Sequence, residues 1–316
     1  MKRFFANANY DFLGLRRRAF AFSGAWIAAG LLLALVWQFS SGSWLNYGVD
    51  FAGGTLIQVQ FSQPVSEGEL RPVLDAVFPG TTITAFGGQN EFLIRAPVTG
   101  EATSDAAEVI PPALTERFGE IEIDRIEAVG AKVGGELQGR AALAIMLSFA
   151  ATLVYLAFRF EWRFGLAAVI ATAHDIVLTL GFIAATRIEV ALPTVAAVLT
   201  IVGYSLNDTI VVFDRIRENL HSSARREDFT TILNRSINET LPRTVLTTTT
   251  TLVTLVALAL FGGVIIRDFA VIMIVGIVLG TYSSIFVAAP ALLLIEQRWP
   301  GERKKARVQR PARATV

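Results

Sequence analysis

Four ionisable side chains lie inside apolar segments of this 316-residue sequence. They are His174 and Asp175 in "AHDIVLTLG", Asp208 in "GYSLNDTIVVFDRIREN" and Arg243 in "LPRTVLTTTTTL". Ionisable groups at membrane depth are rare, usually face a bundle interior or a wet cavity, and are candidates for proton or ion transfer. We expect Asp208 and Arg243 to carry this chemistry.

The depth of Asp208 and Arg243 favours a contact between them. Asp208 lies about 9 Å of helical rise before Asp214, the expected cytoplasmic boundary, and Arg243 lies about 6 Å after Glu239. Because their helices run antiparallel, the two side chains lie at similar depth if the helices touch. A contact with arginine would keep the carboxylate ionised, and its loss would favour protonation. The alternative is a structural buried ion pair, whose disruption would destabilise the bundle.

Polar residues around these four predict a short water chain. Thr247, Thr250 and Thr254 follow Arg243 at spacings that share one helical face. The alternative is that the threonines only pack helices, as we expect for Gly276, Gly280 and Ser284 at small-xxx-small spacing. Asp175 has the further alternative of being only hydrogen-bonded, to Thr172 or Thr179. The residues predicted to line or support a proton path are His174, Asp175, Ser205, Asn207, Thr247 and Thr250.

The elements that carry these residues are apolar segments. The sequence is 53% hydrophobic with a mean hydropathy of +0.52, above the usual range of water-soluble domains. Six segments approach the roughly 20 residues that span a bilayer as a helix. We place them at Ala19–Phe39, Ala141–Phe158, Phe164–Thr186, Val190–Phe213, Leu241–Gly262 and Ala270–Ile295.

The distribution of lysine and arginine predicts the orientation. Basic residues concentrate in the N-terminal arm, in the links between the second and third and the fourth and fifth segments, and in the tail. Cytoplasmic loops carry such an excess. Both termini are therefore expected in the cytoplasm, and the long acidic loop after the first segment is expected outside.

The long loop has the pattern of a folded domain. "GTLIQVQF" alternates like a strand, and "SEGELRPVLDAVF" opens with a Ser-x-x-Glu capping box. "TTITAF" and "EFLIRA" predict a hairpin across "GGQN", residues 102–118 a helix interrupted by Pro111 and Pro112, and "IEIDRIEAV" a closing strand. The order βαββαβ is that of the ferredoxin-like fold. The predicted organisation is an arm and first transmembrane helix over 1–40, an exterior ferredoxin-like domain over 41–139, transmembrane helices two to six over 140–295, and a basic tail over 296–316.

Enzyme classes find little support. The sequence has no cysteine, no "GK" of a phosphate-binding loop and no H-E-x-x-H, and its two histidines are too few for a convincing zinc site. The best enzyme alternative is an intramembrane serine hydrolase using Ser205 and His174, although "GYSLN" lacks the final glycine of a nucleophile elbow. We expect no enzymatic activity, no cofactor and no metal.

Five motifs together resemble the SecF family, the smaller half of the SecDF accessory complex of bacterial protein export. They are "NYGVDFAGGTLIQVQF", "VGAKVGGEL", "AHDIVLTLG", "GYSLNDTIVVFDRIREN" and "LPRTVLTTTTTL", in order over residues 1–298. The resemblance implies a member of the resistance–nodulation–division superfamily in the bacterial cytoplasmic membrane. It implies SecD, the SecYEG channel, exported unfolded polypeptides and membrane lipids as partners, no nucleic acid, and protons as the coupling ion.

The resemblance also assigns roles to residues. It implies proton transfer by Asp208 and Arg243, with a less defined role for the pair His174 and Asp175. Its mechanism would tilt the exterior domain about glycine-rich segments, and the hinge candidates are Gly53, Gly54, Gly134 and Gly135. Tight turns are the alternative for these glycines. Two further alternatives are a half-transporter of the same superfamily for lipids or small molecules, and a passive scaffold for the channel.

Overall fold

The computed structural model describes residues 8–85, 90–97, 104–222 and 227–300. Within these ranges six helical segments are long and apolar enough to cross a membrane, as predicted. They are Leu13–Ser41, Lys132–Leu156, Trp162–Thr186, Leu192–Ser222, Phe229–Phe261 and Ile266–Arg298.

Helices dominate the described part of the chain. They are α1 (Arg16–Ser41), α2 (Val49–Ala52), α3 (Glu67–Val77), α4 (Ser104–Phe118), α5 (Ala131–Arg159), α6 (Trp162–Thr186), α7 (Leu192–Ser222), α8 (Phe229–Phe261), α9 (Gly263–Ser283) and α10 (Ala289–Arg298). A 3-10 turn, Leu13–Leu15, precedes α1, and a π-helical turn, Ser284–Ala288, joins α9 to α10. The strands are β1 (Asn46–Tyr47), β2 (Gly54–Phe61), β3 (Thr82–Ala85), β4 (Glu91–Ala96), β5 (Ile121–Val129) and β6 (Glu189–Val190).

The six long segments divide into inner and outer helices. The most apolar stretch is 50% buried in α6, 50% in α7 and 61% in the α9–α10 segment, against 17% in α1, 6% in α5 and 17% in α8. Lipid-facing helices need no polar partners, whereas polar groups in hydrocarbon must be satisfied internally. The inner three helices and the inward face of α8 are therefore where ionisable side chains can be accommodated.

Small residues allow the helices of the bundle to approach one another closely. A Cβ added at Gly30 of α1 would lie 2.8 Å from the Cα of Gly181 on α6, and one added at Gly280 of α9 would lie 2.9 Å from the Cβ of Ser205 on α7. Such contacts hold helices together in lipid, where the hydrophobic effect between helices is absent. The packing role predicted for Gly280 is thus observed.

The N-terminal arm contacts the N-terminal part of α8 through side-chain hydrogen bonds. The Asn238 side chain accepts from the Tyr10 N–H at 2.8 Å and donates to the Tyr10 carbonyl at 2.9 Å. Asn234 accepts from the Leu13 N–H at 3.0 Å and donates to Asp11 at 2.7 Å. The start of α1 is therefore fixed relative to α8.

The long loop contains one antiparallel four-stranded sheet with strand order β3-β4-β2-β5. The elements follow in the order β2, α3, β3, β4, α4, β5, as predicted from the sequence pattern. The β3–β4 pairing agrees with the predicted hairpin, whose turn residues 87–89 lie outside the described part of the chain. Helix α5 begins at Ala131, ahead of the domain boundary predicted at residue 139.

Helix α4 corrects one prediction. It runs without interruption through Pro111 and Pro112, where we expected a break. Its inward face carries Ala106, Ile110 and Leu114 at helical spacing, all buried against the sheet. This packing outweighs the cost of the missing backbone hydrogen bonds.

Backbone and ionic contacts join the sheet to the helix bundle. Strand β1 pairs in parallel with β6 in the loop between α6 and α7. The Asp50 carboxylate accepts from the Leu192 N–H at 2.9 Å, and Arg95 of β4 forms an ion pair with Glu189 of β6. The sheet is therefore attached to the bundle at the end opposite the C-terminal residues of α7 and the N-terminal residues of α8.

The proposed hinge glycines lie at this attachment. Gly53 and Gly54 have φ values of 77° and 127°, which favour glycine, and a Cβ at Gly54 would lie 2.5 Å from the Ala96 carbonyl oxygen. A Cβ at Gly134 would lie 2.8 Å from the Phe51 carbonyl oxygen, whereas one at Gly135 would meet open space. The static geometry alone requires glycine at the first three positions, so a hinge role stays a prediction.

Candidate functional site

Asp208 lies at the centre of the bundle, 6% exposed, on the inward face of α7. One carboxylate oxygen accepts from the Thr244 hydroxyl of α8 at 2.7 Å, and the other accepts from the Ser284 hydroxyl at 2.6 Å. Both donors are buried, and Ser284 begins the π-helical turn. We call these three residues the Asp208 site.

Arg243 departs from the sequence prediction. It is exposed on α8, and the ion pairs among the described residues do not include one between Arg243 and Asp208. Successive helical residues differ by about 100° in direction, so Thr244 faces the carboxylate while Arg243 points to the side. In this conformation two hydroxyl groups, and not a guanidinium, hold the aspartate.

The threonine run of α8 is also oriented differently from the prediction. Thr247 and Thr250 are exposed, and their hydroxyls bond to carbonyls of their own helix, for Thr247 at 3.0 Å to Arg243. Thr244 and Thr248 form the inward face instead. The Thr248 hydroxyl lies 2.9 Å from that of Thr281 and 3.4 Å from the Tyr204 hydroxyl. Sequence reasoning missed this face, although the i,i+4 series Leu233, Ile237 and Leu241 indicates which side of α8 is buried.

Ser284 was predicted to be a packing residue, and the structure adds a polar contact to that role. Its single hydroxyl proton has two acceptors, the Asp208 carboxylate at 2.6 Å and the Thr281 carbonyl at 2.9 Å. A π-helical turn inside a helix is rare and often marks a functional position. Asn207, the neighbour of Asp208, is exposed and points away from this site.

A second buried carboxylate, Asp175 on α6, is 1% exposed. One oxygen lies 2.9 Å from Nδ1 of His174, and the other accepts a short hydrogen bond from Ser205 of α7. Neither predicted threonine bonds to this carboxylate, because Thr172 donates to the Ala168 carbonyl and Thr179 to the Asp175 carbonyl. We call Asp175, His174 and Ser205 the Asp175 site.

The other ring nitrogen of His174 connects the Asp175 site to two more helices. Nε2 lies 2.9 Å from the Ser23 hydroxyl of α1, which lies 3.1 Å from the Tyr282 hydroxyl of α9. Tyr282 donates to the Ala19 carbonyl at 2.7 Å. Ser23 and Tyr282 were not found by sequence reasoning, because neither stands near an ionisable residue along the chain.

This arrangement bears on the serine-hydrolase alternative. His174 contacts Ser23, not Ser205. Ser23 lies within the regular helix α1, whose backbone N–H groups bond to their own helix and so cannot form an oxyanion hole. Residues 8–85, 90–97, 104–222 and 227–300 contain no group of three or more metal-ligating His, Cys, Asp or Glu side chains.

The C-terminal end of α7 and the N-terminal end of α8 form a network of ion pairs. Asp214 pairs with Arg159 of α5 at 2.9 Å, and Arg215 pairs with Glu239 at 2.6 Å. Asn219 donates to the same Glu239 at 2.7 Å. These residues mark the polar boundary beyond which both helices continue past their apolar segments.

Comparison with known proteins decides the family. The family described as protein export membrane protein SecD/SecF, C-terminal, matches residues 110–298, and the SecD/SecF GG motif matches residues 39–65. The sequence is 48% identical over 309 residues to protein translocase subunit SecF of Gemmatimonas aurantiaca, covering 95% of this chain and 91% of the relative. The chain belongs to the SecF family. SecF of Desulfurispirillum indicum is 45% identical over 294 residues, which cover 91% of each chain.

A solved structure agrees with this assignment. The crystal structure of SecDF from Thermus thermophilus, a translocon-associated membrane protein, matches with a TM-score of 0.81 and 37% identity over 92% of this chain. The match covers 39% of the SecDF chain, so the present chain spans about two fifths of that longer protein. The resemblance found in the sequence motifs is confirmed, and the chain is a multi-pass membrane protein of the SecF family.

Proposed function

We propose that this chain acts with a SecD subunit to promote protein translocation through the SecYEG channel, driven by the proton motive force. The names of its relatives, a protein translocase subunit and a translocon-associated SecDF, support the pathway. The proposal includes the bacterial cytoplasmic membrane, cytoplasmic termini, and an exterior ferredoxin-like domain that acts on exported unfolded polypeptides.

The observation that carries the proton-driven step is the geometry of the Asp208 site. When Asp208 is ionised, the Thr244 and Ser284 hydroxyls donate to it. When it is protonated, its O–H donates to Ser284, whose own proton turns to the Thr281 carbonyl at 2.9 Å. The carboxyl group can therefore gain or lose a proton without leaving a buried polar group unsatisfied.

The two protonation states nevertheless differ in charge. Among the described residues Asp208 has no ion-pair partner, and a buried unpaired carboxylate is costly. Arg243 stands next to Thr244 on α8, so a rotation of α8 exchanges the hydroxyl for the guanidinium. We assign Arg243 the role of stabilising the ionised form after this rotation, so that proton loss and helix movement are coupled.

The free energy that one proton supplies is of the same order as the free-energy gap of a conformational change. One proton crossing a potential of about 100 mV supplies about 2.3 kcal/mol. At 1.4 kcal/mol for each factor of ten, this changes an equilibrium constant about 40-fold. A conformational change of the helix bundle and exterior domain with a gap of a few kcal/mol can be driven in this way.

The test is Asp208→Asn in the chain coexpressed with its SecD subunit in inverted membrane vesicles. The late stage of secreted-protein translocation is followed with ATP exhausted and a proton gradient imposed. We expect normal assembly and complete loss of the gradient-dependent step. The matched control is Asp214→Asn on the same helix, where the side chain is 42% exposed and pairs with Arg159. If Asp208→Asn translocates as well as this control does, a passive scaffold replaces the proton-driven function.

A further inference from the structure

The hydrogen-bond chain from Ala19 to Asp175 has a fixed direction. A tyrosine hydroxyl has one proton, and a backbone carbonyl can only accept. Because the Tyr282 hydroxyl lies 2.7 Å from the Ala19 carbonyl oxygen and 3.1 Å from the Ser23 hydroxyl, its proton goes to Ala19. Ser23 must then donate its own proton to the Tyr282 oxygen.

Because Ser23 donates its proton to Tyr282, it determines which nitrogen of the His174 imidazole is protonated. The Ser23 hydroxyl oxygen lies 2.9 Å from Nε2 of His174 and has no further proton to give. Nε2 is therefore the donor in this contact. In a Ser–His–Asp catalytic triad the serine donates to the imidazole, so this network runs in the opposite direction from a nucleophilic one.

A second proton follows from the contact between His174 and Asp175. Nδ1 and the carboxylate oxygen lie 2.9 Å apart, a hydrogen-bond distance that needs one proton between them. With Nε2 already protonated, the pair is either imidazolium with carboxylate or neutral imidazole with carboxylic acid. In both forms the pair is neutral overall and holds one proton more than imidazole and carboxylate alone.

We propose that His174 and Asp175 form a second proton-binding site, separate from Asp208, that binds and releases this shared proton. The assignment rests on the proton-driven function proposed above. When the shared proton leaves, Nδ1 and the carboxylate oxygen face each other as two acceptors. They then repel each other, so the contact between the two side chains must break.

The groups around this site connect it to the Asp208 site. Ser205 donates to Asp175 and lies one turn from Asp208 on α7, and Ser283, adjacent to Ser284, lies beside the Asp175 carboxyl. Tyr282 of α9 faces the pair with its ring stacked on that of His174, α1 presents Ser23, and α7 carries Asp208 one turn beyond Ser205. Arg159 of α5, Arg163 of α6 and Glu296 of α10 lie near the ends of these helices. They form the ion pairs Arg159–Asp214 and Arg163–Glu296.

The test is ¹⁵N nuclear magnetic resonance of labelled histidine in the full chain with its SecD subunit in liposomes, as a function of pH. This chain contributes two histidines, His174 and His221. His174→Gln identifies the buried signal, and His221→Gln is the matched control that removes only the exposed one. The measurement on the unmodified chain needs no variant to fold.

We expect Nε2 of His174 to be protonated throughout and the Nδ1 resonance to change in one step as the shared proton is lost. Asp175→Asn should abolish this step, and Asp208→Asn should leave it present at a shifted pH. A His174 ring protonated on Nδ1 alone, or a step that survives in Asp175→Asn, would overturn the proposal. These readouts do not depend on translocation, so failure of the proton-driven function is measured separately, by Asp208→Asn in vesicles.

Discussion

The two buried carboxylates differ in how their charge is compensated. Asp175 has an imidazole at 2.9 Å within its own helix, a partner that it keeps through any rigid movement of that helix. Asp208 has two hydroxyl donors from two other helices, and its predicted arginine lies on the exposed side of α8. A carboxylate whose partners belong to separate helices can change them when those helices move. This difference is the reason why we propose Asp208, and not Asp175, as the group that couples protonation to movement between helices.

The strongest way to break this comparison is to remove the arginine from α8. In Arg243→Gln we expect the gradient-dependent step of translocation to fall at least about 100-fold, because the ionised Asp208 then has no cation to meet after helix rotation. Arg243→Lys should recover part of the rate, since it restores the charge without the planar geometry of guanidinium. Translocation in vesicles measures both. Unchanged coupling in Arg243→Gln, with the complex intact, would mean that hydroxyl groups suffice for Asp208.

Threonine substitutions on α8 sharpen the comparison by testing which face of that helix matters. Thr244→Val removes the donor at 2.7 Å from Asp208, and a hydrogen bond to a charged group contributes about 1.5–3 kcal/mol. We therefore expect about a tenfold or larger fall in gradient-dependent translocation. Thr247→Val is the matched control, because that hydroxyl is exposed and bonds only to carbonyls of its own helix. Equal effects of the two substitutions would contradict the assignment of the inward face.

Stability offers a smaller but direct contrast between the two sites. Asp208→Asn removes a buried charge that has no ion-pair partner among the described residues, so we expect the bundle to be as stable as before or more stable. Asp175→Asn replaces the shared proton by an amide contact and should destabilise the bundle by about 1 kcal/mol, the usual contribution of one hydrogen bond. Thermal unfolding of the purified complex in detergent measures both. The opposite order would mean that Asp208, not Asp175, is the structural carboxylate.

Much of the fold follows from periodicity alone. The six apolar segments and the strands Gly54–Phe61, Glu91–Ala96 and Ile121–Val129 lie where the sequence predicts them, because bilayer span and strand alternation constrain long patterns. The capping box at Ser66 and Glu69 was also predictable, since it depends on residues close in sequence. The uninterrupted helix α4 was not predictable from its prolines, because the free energy that stabilises it comes from burial of its apolar face against the sheet.

The sequence predicted which ionisable residues form the candidate sites, but not which side chains they contact. Asp208, Asp175 and His174 were recognised because ionisable groups are rare in apolar helices. Their partners Thr244, Ser284 and Ser23 were missed or read as packing residues, since serine and threonine are common on packed helix faces. In a run of five threonines, Thr247 to Thr251, composition does not reveal which hydroxyl points inward. That choice depends on the rotation of α8, which its apolar residues further along the helix determine.

The N-terminus of α3, in the domain between α1 and α5, provides the smallest expected effect. The Glu69 carboxylate accepts from the Ser66 N–H at 2.9 Å and from the Ser66 hydroxyl at 2.7 Å. These two hydrogen bonds, the backbone one above all, lower the pKa of Glu69. Because the folded pKa is below the unfolded value, this stabilisation is present above the unfolded pKa and is lost only as pH falls through the folded one.

The domain between α1 and α5 should therefore keep this stabilisation at neutral pH and over the pH range in which an imidazole titrates. Glu69→Gln should lower its thermal stability slightly at neutral pH and leave gradient-dependent translocation within about twofold, because a neutral amide still accepts from Ser66. Circular dichroism and the vesicle assay measure the two effects. A pH-dependent loss of translocation that Glu69→Gln removes would place the titrating group at the N-terminus of α3, and the contrast between Asp175 and Asp208 would then not explain it.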